Sequence, residues 1–76
     1  MISVKQIRAA RGLLGWTQKN LAEECGLSKR AINLLEKGES NPRDSTLKLV
    51  KLTLEKEGVI FFEKHGYLGV KILEDF

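Results

Sequence analysis

Three short predicted helices occupy the first half of the chain, and each of them ends at a glycine. The glycines that end them are Gly15, Gly26 and Gly38. The residues that can cap their N-termini are Ser3, Thr17 and Ser28, and Ser3 followed by Gln6 fits a capping box. Because Ser28 stands only two residues after Gly26, the second and third helices are predicted to be joined by a tight turn.

A fourth predicted helix follows the only proline, Pro42, after a loop over residues 39–43. Asp44 or Ser45 is expected to cap it, and it is expected to run to about Glu57, where Gly58 stops it. Its apolar residues exceed one stripe. The stripe is Leu47, Val50 and Leu54, and the leucines partly outside it are Leu49 and Leu52. This surplus predicts a second apolar cover for the helix.

The last third of the chain has a composition typical of β-strands. The runs 59–62 and 70–73 are rich in β-branched and aromatic residues, and a segment containing His65-Gly66 separates them. This predicts a β-hairpin, or two strands that pair with another subunit. An isolated hairpin is marginal in water, so it must dock, and the exposed face of the fourth helix is the nearest candidate. We therefore divide the chain into a domain over 1–58 and a β extension over 59–76 for packing or dimerisation.

The composition excludes several classes of site and function. The chain of 76 residues has one cysteine, Cys25, and one histidine, His65, so neither an internal disulfide nor a Cys/His metal cluster is expected. We expect no cofactor, no metal and no small-molecule ligand. A glycine-rich phosphate loop and a nucleophile–base pair are lacking, which argues against an enzyme. Without a membrane-length apolar run or a signal-peptide h-region, the expected setting is the cytoplasm.

The charge is unevenly distributed along the chain. The net charge of +3 divides into +5 over residues 1–51 and −2 over residues 52–76. A basic body of this kind suggests a polyanionic partner for the first two-thirds of the chain.

The third helix has the side chains that such a partner would require. Its inward residues are predicted to be Ile32 and Leu35. Its outward residues are predicted to be Lys29, Arg30, Asn33, Leu34 and Lys37. Lysine and arginine can donate to guanine, asparagine can pair with adenine, and an exposed leucine can contact a thymine methyl group. Two short helices joined by a tight turn form a helix-turn-helix unit, whose second helix enters the major groove.

The spacing of these residues resembles the Cro/phage-repressor helix-turn-helix family, also called XRE-type, over about residues 3–57. The residues that carry the resemblance are Arg8, Arg11, Thr17, Gln18, Leu21, Ala22, Gly26, Leu27, Ser28, Ile32, Asn33, Leu35, Glu36, Gly38, Asn41 and Pro42. The resemblance implies a mainly α, lambda-repressor-like domain of four helices, to which this chain adds a C-terminal β-hairpin or strand pair.

The resemblance also implies a role for each residue at a matching position. The residues expected to read base edges are Lys29, Arg30, Asn33 and Leu34. Among these four, the resemblance places Asn33 nearer the DNA backbone. Those expected near phosphates are Thr17, Gln18, Ser28, Lys37 and Arg43. Gln18 would also brace the third helix. An exposed helix N-terminus independently favours a phosphate next to Gln18.

Arg11 and Glu36 are expected to form a structural ion pair. Arg11 falls within the apolar stripe of the first helix, where a lone charge would be costly, and Glu36 adjoins the inward Leu35. The family resemblance implies that the two side chains pair.

These observations predict a sequence-specific, double-stranded DNA-binding transcriptional regulator of the repressor type. A homodimer formed through the C-terminal segment would read a pseudo-palindromic operator, in a bacterial or phage-type cytoplasm and on the nucleoid when bound. The alternative is an antitoxin-like module, or another protein-binding module, that uses its C-terminal strands to bind a partner.

Overall fold

The computed structural model describes residues 2–38 and 42–74. Over these residues the chain forms four helices and a two-stranded antiparallel sheet. The elements are α1 (Val4–Leu14), α2 (Gln18–Cys25), α3 (Lys29–Lys37), α4 (Asp44–Lys56), β1 (Val59–Lys64) and β2 (Tyr67–Ile72). The predicted mainly α fold with a C-terminal hairpin is therefore confirmed. Residues 39–41 of the predicted loop lie outside the described residues.

Local capping sets the ends of the first three helices. The caps Ser3, Thr17 and Ser28 have extended backbones, and each side chain accepts a hydrogen bond from an N–H of the first helical turn. The glycines that end these helices adopt left-handed conformations with φ of 69°, 72° and 69° in chain order. L-residues with a Cβ adopt this conformation only under strain, so glycine is the favoured residue there.

The start of α4 differs from the prediction. Arg43 is the N-cap residue, and neither Asp44 nor Ser45 caps the helix. The Arg43 carbonyl already accepts from the N–H groups of Thr46 at 3.0 Å and Leu47 at 3.1 Å, so the helix begins one residue earlier than a side-chain cap at Asp44 requires. Asp44 lies in the first turn instead, where a carboxylate favourably meets the positive end of the helix dipole.

All four helices and the first strand contribute to one apolar core. Its fully buried large side chains are Ile7, Leu21, Ile32, Val50, Leu54 and Val59. Cys25 is also buried, as expected of a small filler, and burial raises the pKa of its thiol, while a hydrogen bond with Thr53 acts in the opposite direction. Since Val59 belongs to this core, the hairpin is attached to the helical domain from its first residue.

The two strands pair with each other within the chain. The register runs from Val59 opposite Ile72 to Lys64 opposite Tyr67. His65 and Gly66 form the two-residue turn with φ of 53° and 80°. Positive φ at both positions is the type I′ geometry that matches the twist of a hairpin. Of the two arrangements left open by the sequence, the structure has the hairpin.

The position of the hairpin corrects a second prediction. Its inner face packs on α1 and on the C-terminal part of α4 rather than over the surplus leucines of α4. Leu49 and Leu52 stay 39% and 50% exposed. The prediction that the hairpin covers the surplus leucines of the fourth helix is therefore wrong.

Gln6 of α1 explains why the hairpin lies where it does. Its side chain is buried, and Nε2 donates to the carbonyls of Phe62 at 3.1 Å and Gly69 at 3.0 Å. Its Oε1 accepts from the Ser3 N–H at 2.9 Å, as in the predicted capping box. The amide of Gln6 thus completes the cap of α1 and donates hydrogen bonds to both strands, at the paired residues Phe62 and Gly69.

The outer face of the hairpin carries exposed apolar side chains. Alternation along the strands puts Ile60, Phe62 and Tyr67 on this face, and they are 51%, 43% and 77% exposed. The Phe62 ring occupies the space above Gly69, so a side chain at position 69 would displace the ring. The hairpin therefore has one face in contact with the helices and one face open to solvent, where these apolar side chains lie beside Lys64 and Lys71.

Candidate nucleic-acid interface

The turn between α2 and α3 is three residues long. The Gly26 N–H bonds to carbonyls at the end of α2, and the Leu27 N–H donates to the Ala22 carbonyl at 2.9 Å. Ser28 then begins α3, and its Oγ accepts from the Ala31 N–H at 3.0 Å. These bonds hold two helices in the close arrangement of a helix-turn-helix unit.

One face of α3 is buried and the opposite face is exposed. Ile32, Leu35 and Glu36 are buried against the rest of the domain. The exposed side chains are Lys29, Arg30, Leu34 and Lys37. Leu34 is 40% exposed although it is apolar. The solvent face of this helix thus combines three cations with one leucine and has no exposed carboxylate.

A polar network lies behind this face and joins the first three helices. Arg11 of α1 donates to Glu36 through Nε at 2.6 Å and Nη2 at 2.7 Å, and through Nη1 to the Trp16 carbonyl at 2.9 Å. The hydrogen bond with Glu36 raises the pKa of Arg11, although burial acts in the opposite direction. The side chain of Glu36 is only 3% exposed.

Gln18 of α2 extends the network to Asn33. Its Nε2 donates to Glu36 Oε1 at 3.2 Å, and its Oε1 accepts from Asn33 Nδ2 at 3.3 Å. Among the described residues, every buried side-chain nitrogen or oxygen has a hydrogen-bond partner. The start of α2 and the last two turns of α3 are therefore held together by side chains.

The residues expected near phosphates lie at helix ends. Thr17 caps α2 and forms a reciprocal pair with Asn20: its Oγ1 accepts from the Asn20 N–H at 3.0 Å, and its N–H donates to Asn20 Oδ1 at 2.9 Å. Gln18 and Ser28 stand at the N-terminal ends of α2 and α3. Lys37 is exposed in the last turn of α3, and Arg43 is exposed at the start of α4.

Sequence reasoning missed two features of this region. It treated Asn33 as an outward residue, whereas its side chain is half-buried and bonded to Gln18. The signal was its spacing of three residues from the inward Glu36, because residues three apart are neighbours on a helix surface. It also missed Asn20 as the partner of Thr17, although a polar residue three positions after a capping threonine is the spacing of a capping box.

Residues 2–38 and 42–74 contain no group of three His, Cys, Asp or Glu side chains placed to hold a metal ion. None of the helices in these ranges has the length and apolar character needed to cross a bilayer.

The comparison with protein families agrees with the geometry. A family model described as helix-turn-helix matches residues 7–55, which include all four helices except their outermost residues. No curated protein matches the chain. The matched family is one of DNA-binding regulatory domains and not of enzymes. The matched segment contains the turn, the caps Thr17 and Ser28, and the polar network, and the chain therefore belongs to the Cro/repressor-type helix-turn-helix family, also called XRE.

Proposed function

We propose that this protein is a sequence-specific, double-stranded DNA-binding transcriptional regulator of the repressor type, with α3 in the major groove. The observation that carries the proposal is the exposed face of α3. It presents Lys29, Arg30 and Leu34 together, while Glu36, the acid of the same helix, is buried and paired with Arg11. A cationic helix face with an exposed apolar residue matches the chemistry of a base-pair edge.

The remaining contacts would position the helix on the duplex. Gln18, at the exposed N-terminal end of α2, would bond a phosphate. The hydroxyls of Thr17 and Ser28 accept from backbone N–H groups as caps, and each retains an O–H that can donate to a phosphate oxygen. Lys37 and Arg43 would contact phosphates from either side of the loop after α3. Such contacts set register and orientation without reading sequence.

Selection from a random pool of duplexes is the direct test of this function. The full chain should enrich a defined sequence. Its affinity for that sequence should fall with salt, with a log–log slope of about −0.9 for each phosphate neutralised. Gln18→Ala should weaken binding to selected and unselected duplexes alike. Equal affinity for every duplex, or an affinity that does not change with salt, would contradict the proposal.

We also propose that the protein acts as a homodimer joined through residues 59–76, with residues 1–58 binding DNA. A two-fold dimer would place two α3 helices roughly 34 Å apart and would read a pseudo-palindromic operator. The support is the outer face of the hairpin, where Ile60, Phe62 and Tyr67 form an apolar surface that the helices leave uncovered. Such surfaces often mark protein interaction sites. The place of action would be a bacterial or phage-type cytoplasm.

Sedimentation velocity of matched variants tests the dimer. The unmodified protein should sediment as a dimer, and Ile60→Glu should sediment as a monomer because it puts a charge into the proposed interface. Leu13→Glu is the control, since Leu13 lies on α1 and is 48% exposed, close to the 51% of Ile60. A monomeric unmodified protein at high concentration would refute the dimer. The outer face would then favour the alternative, an antitoxin-like module with a different protein partner.

A further inference from the structure

We propose that α3 reads guanine and thymine but neither adenine nor cytosine, and that Asn33 braces the helix instead of contacting a base. The inference rests on the proposed function, because it names the base edges that the exposed face of α3 can recognise. It concerns α3 alone and predicts an operator half-site in which one strand presents guanines followed by a thymine.

Hydrogen-bond chemistry limits what this helix can read. Adenine recognition needs a side chain that accepts from N6 and donates to N7, and cytosine recognition needs an acceptor for N4. The exposed side chains of α3 are three cations and a leucine. Lysine and arginine have donors but no acceptors, and leucine has neither. Such a set matches guanine, whose O6 and N7 are two adjacent acceptors, and the methyl group of thymine. Adenine presents one acceptor, N7, next to the N6 donor, and a cation has nothing that can accept from N6.

Two side chains of α3 could accept a hydrogen bond, those of Asn33 and Glu36. Both are hydrogen-bonded to residues of other helices. Both carboxylate oxygens of Glu36 accept hydrogen bonds from Arg11, and Oε1 also accepts one from Gln18. Asn33 is half-buried, and its Nδ2 donates back to Gln18 at 3.3 Å. Bidentate pairing with adenine needs both ends of the amide turned toward the base, and this bond holds the Asn33 amide toward α2.

The order of the readers along the helix predicts the order of the bases. Lys29 and Arg30 lie in the first turn of α3, and Leu34 lies four residues after Arg30. Four residues of helix advance about 6 Å, which is close to two base steps at about 3.4 Å each. The thymine contacted by Leu34 should therefore stand about two base pairs from the guanine contacted by Arg30.

Base analogues in the selected duplex test the inference atom by atom. Replacing the contacted guanines with 7-deazaguanine should weaken binding of the unmodified protein. Arg30→Ala should lose about five- to 150-fold in affinity, with no remaining preference at its guanine. It should also become insensitive to 7-deazaguanine at that position. Uracil in place of thymine should weaken the unmodified protein but not Leu34→Ala, because only the methyl group differs.

Asn33→Ala is the decisive control. It should leave the preferred base unchanged at every position, whatever its effect on total affinity. Loss of an adenine preference in this variant, or a selected half-site whose binding changes with neither 7-deazaguanine nor uracil, would overturn the inference and leave the proposed function standing. A pool without any enriched sequence would overturn both. The analogue measurements on the unmodified protein remain informative even if a variant fails to fold.

Discussion

Replacing Arg11 with methionine should lower the free energy of unfolding by about 3–5 kcal/mol, the cost of breaking a buried ion pair by removing one partner. Glu36 would keep its charge in a site where its side chain is 3% exposed. Of the three hydrogen bonds to its carboxylate, only the 3.2 Å bond from Gln18 would remain. The Trp16 carbonyl would also lose the N–H donated by Arg11. Urea denaturation followed by circular dichroism measures the change.

Two further variants decide whether pairing is the cause. Lys5→Met is the matched control, because Lys5 is an exposed cation on the same helix and should tolerate the change with little effect. The double variant Arg11→Met/Glu36→Met should be more stable than Arg11→Met alone, because it removes the uncompensated buried charge as well. If Arg11→Met is no less stable than Lys5→Met, the ion pair does not stabilise the fold.

Replacing Gln6 with glutamate should lower the free energy of unfolding by about 2–4 kcal/mol and loosen the hairpin. The carboxylate keeps the oxygen that caps the Ser3 N–H, so the capping box survives. It loses the amide donor, however, and would put an oxygen against two carbonyl oxygens that Nε2 now meets at 3.0 and 3.1 Å. Leaving one buried polar group without a donor costs about 1–3 kcal/mol, and more if the group is charged, as this carboxylate oxygen would be. Amide hydrogen exchange of the hairpin, together with urea denaturation, measures the effect.

Asn20→Asp provides the same chemical change in the capping box of α2. Its Oδ1 also accepts from a cap N–H, at 2.9 Å from the Thr17 nitrogen, but the residue is exposed and its side chain faces no carbonyl pair in the described structure. This variant should be neutral or slightly stabilising, because a negative charge is favourable at a helix N-terminus. Equal losses in the two variants would mean that the loss in Gln6→Glu comes from placing a carboxylate in a capping box and not from the bonds to the hairpin.

The role of Gln6 shows what a local pattern can and cannot predict. The spacing of Ser3 and Gln6 predicted the capping box, because both partners lie within one helical turn. The bonds to Phe62 and Gly69 span more than 55 positions of the chain, and a capping pattern contains no information about them. The expectation that the hairpin covers the surplus leucines of α4 was wrong for this reason, since an apolar surplus identifies a surface but not the polar contacts that select among surfaces.

Asn33 gives the same lesson for the candidate interface. Helical periodicity places it near the outward arc of α3, and its amide is suited to adenine. Whether that amide faces the groove depends on Gln18, a residue of another helix. The cations and Leu34 could be assigned to the exposed face because no partner competes for them in the described structure. The residue with a competing partner is the one for which periodicity gave an incomplete answer.

By itself, the sequence determined the elements of this protein that depend on near neighbours. These are the three glycine-terminated helices, the tight turn before Ser28, the turn at His65-Gly66 and the spacing that identifies the family. The tertiary structure alone decided which surfaces meet: the hairpin on α1 through Gln6, the exposed Leu49 and Leu52, and the withdrawal of Asn33 toward Gln18. The physical reason is the separation along the chain of the groups that interact. Caps and turns are satisfied within a few residues, whereas a buried polar side chain finds its partner wherever packing brings an unsatisfied group within hydrogen-bond distance.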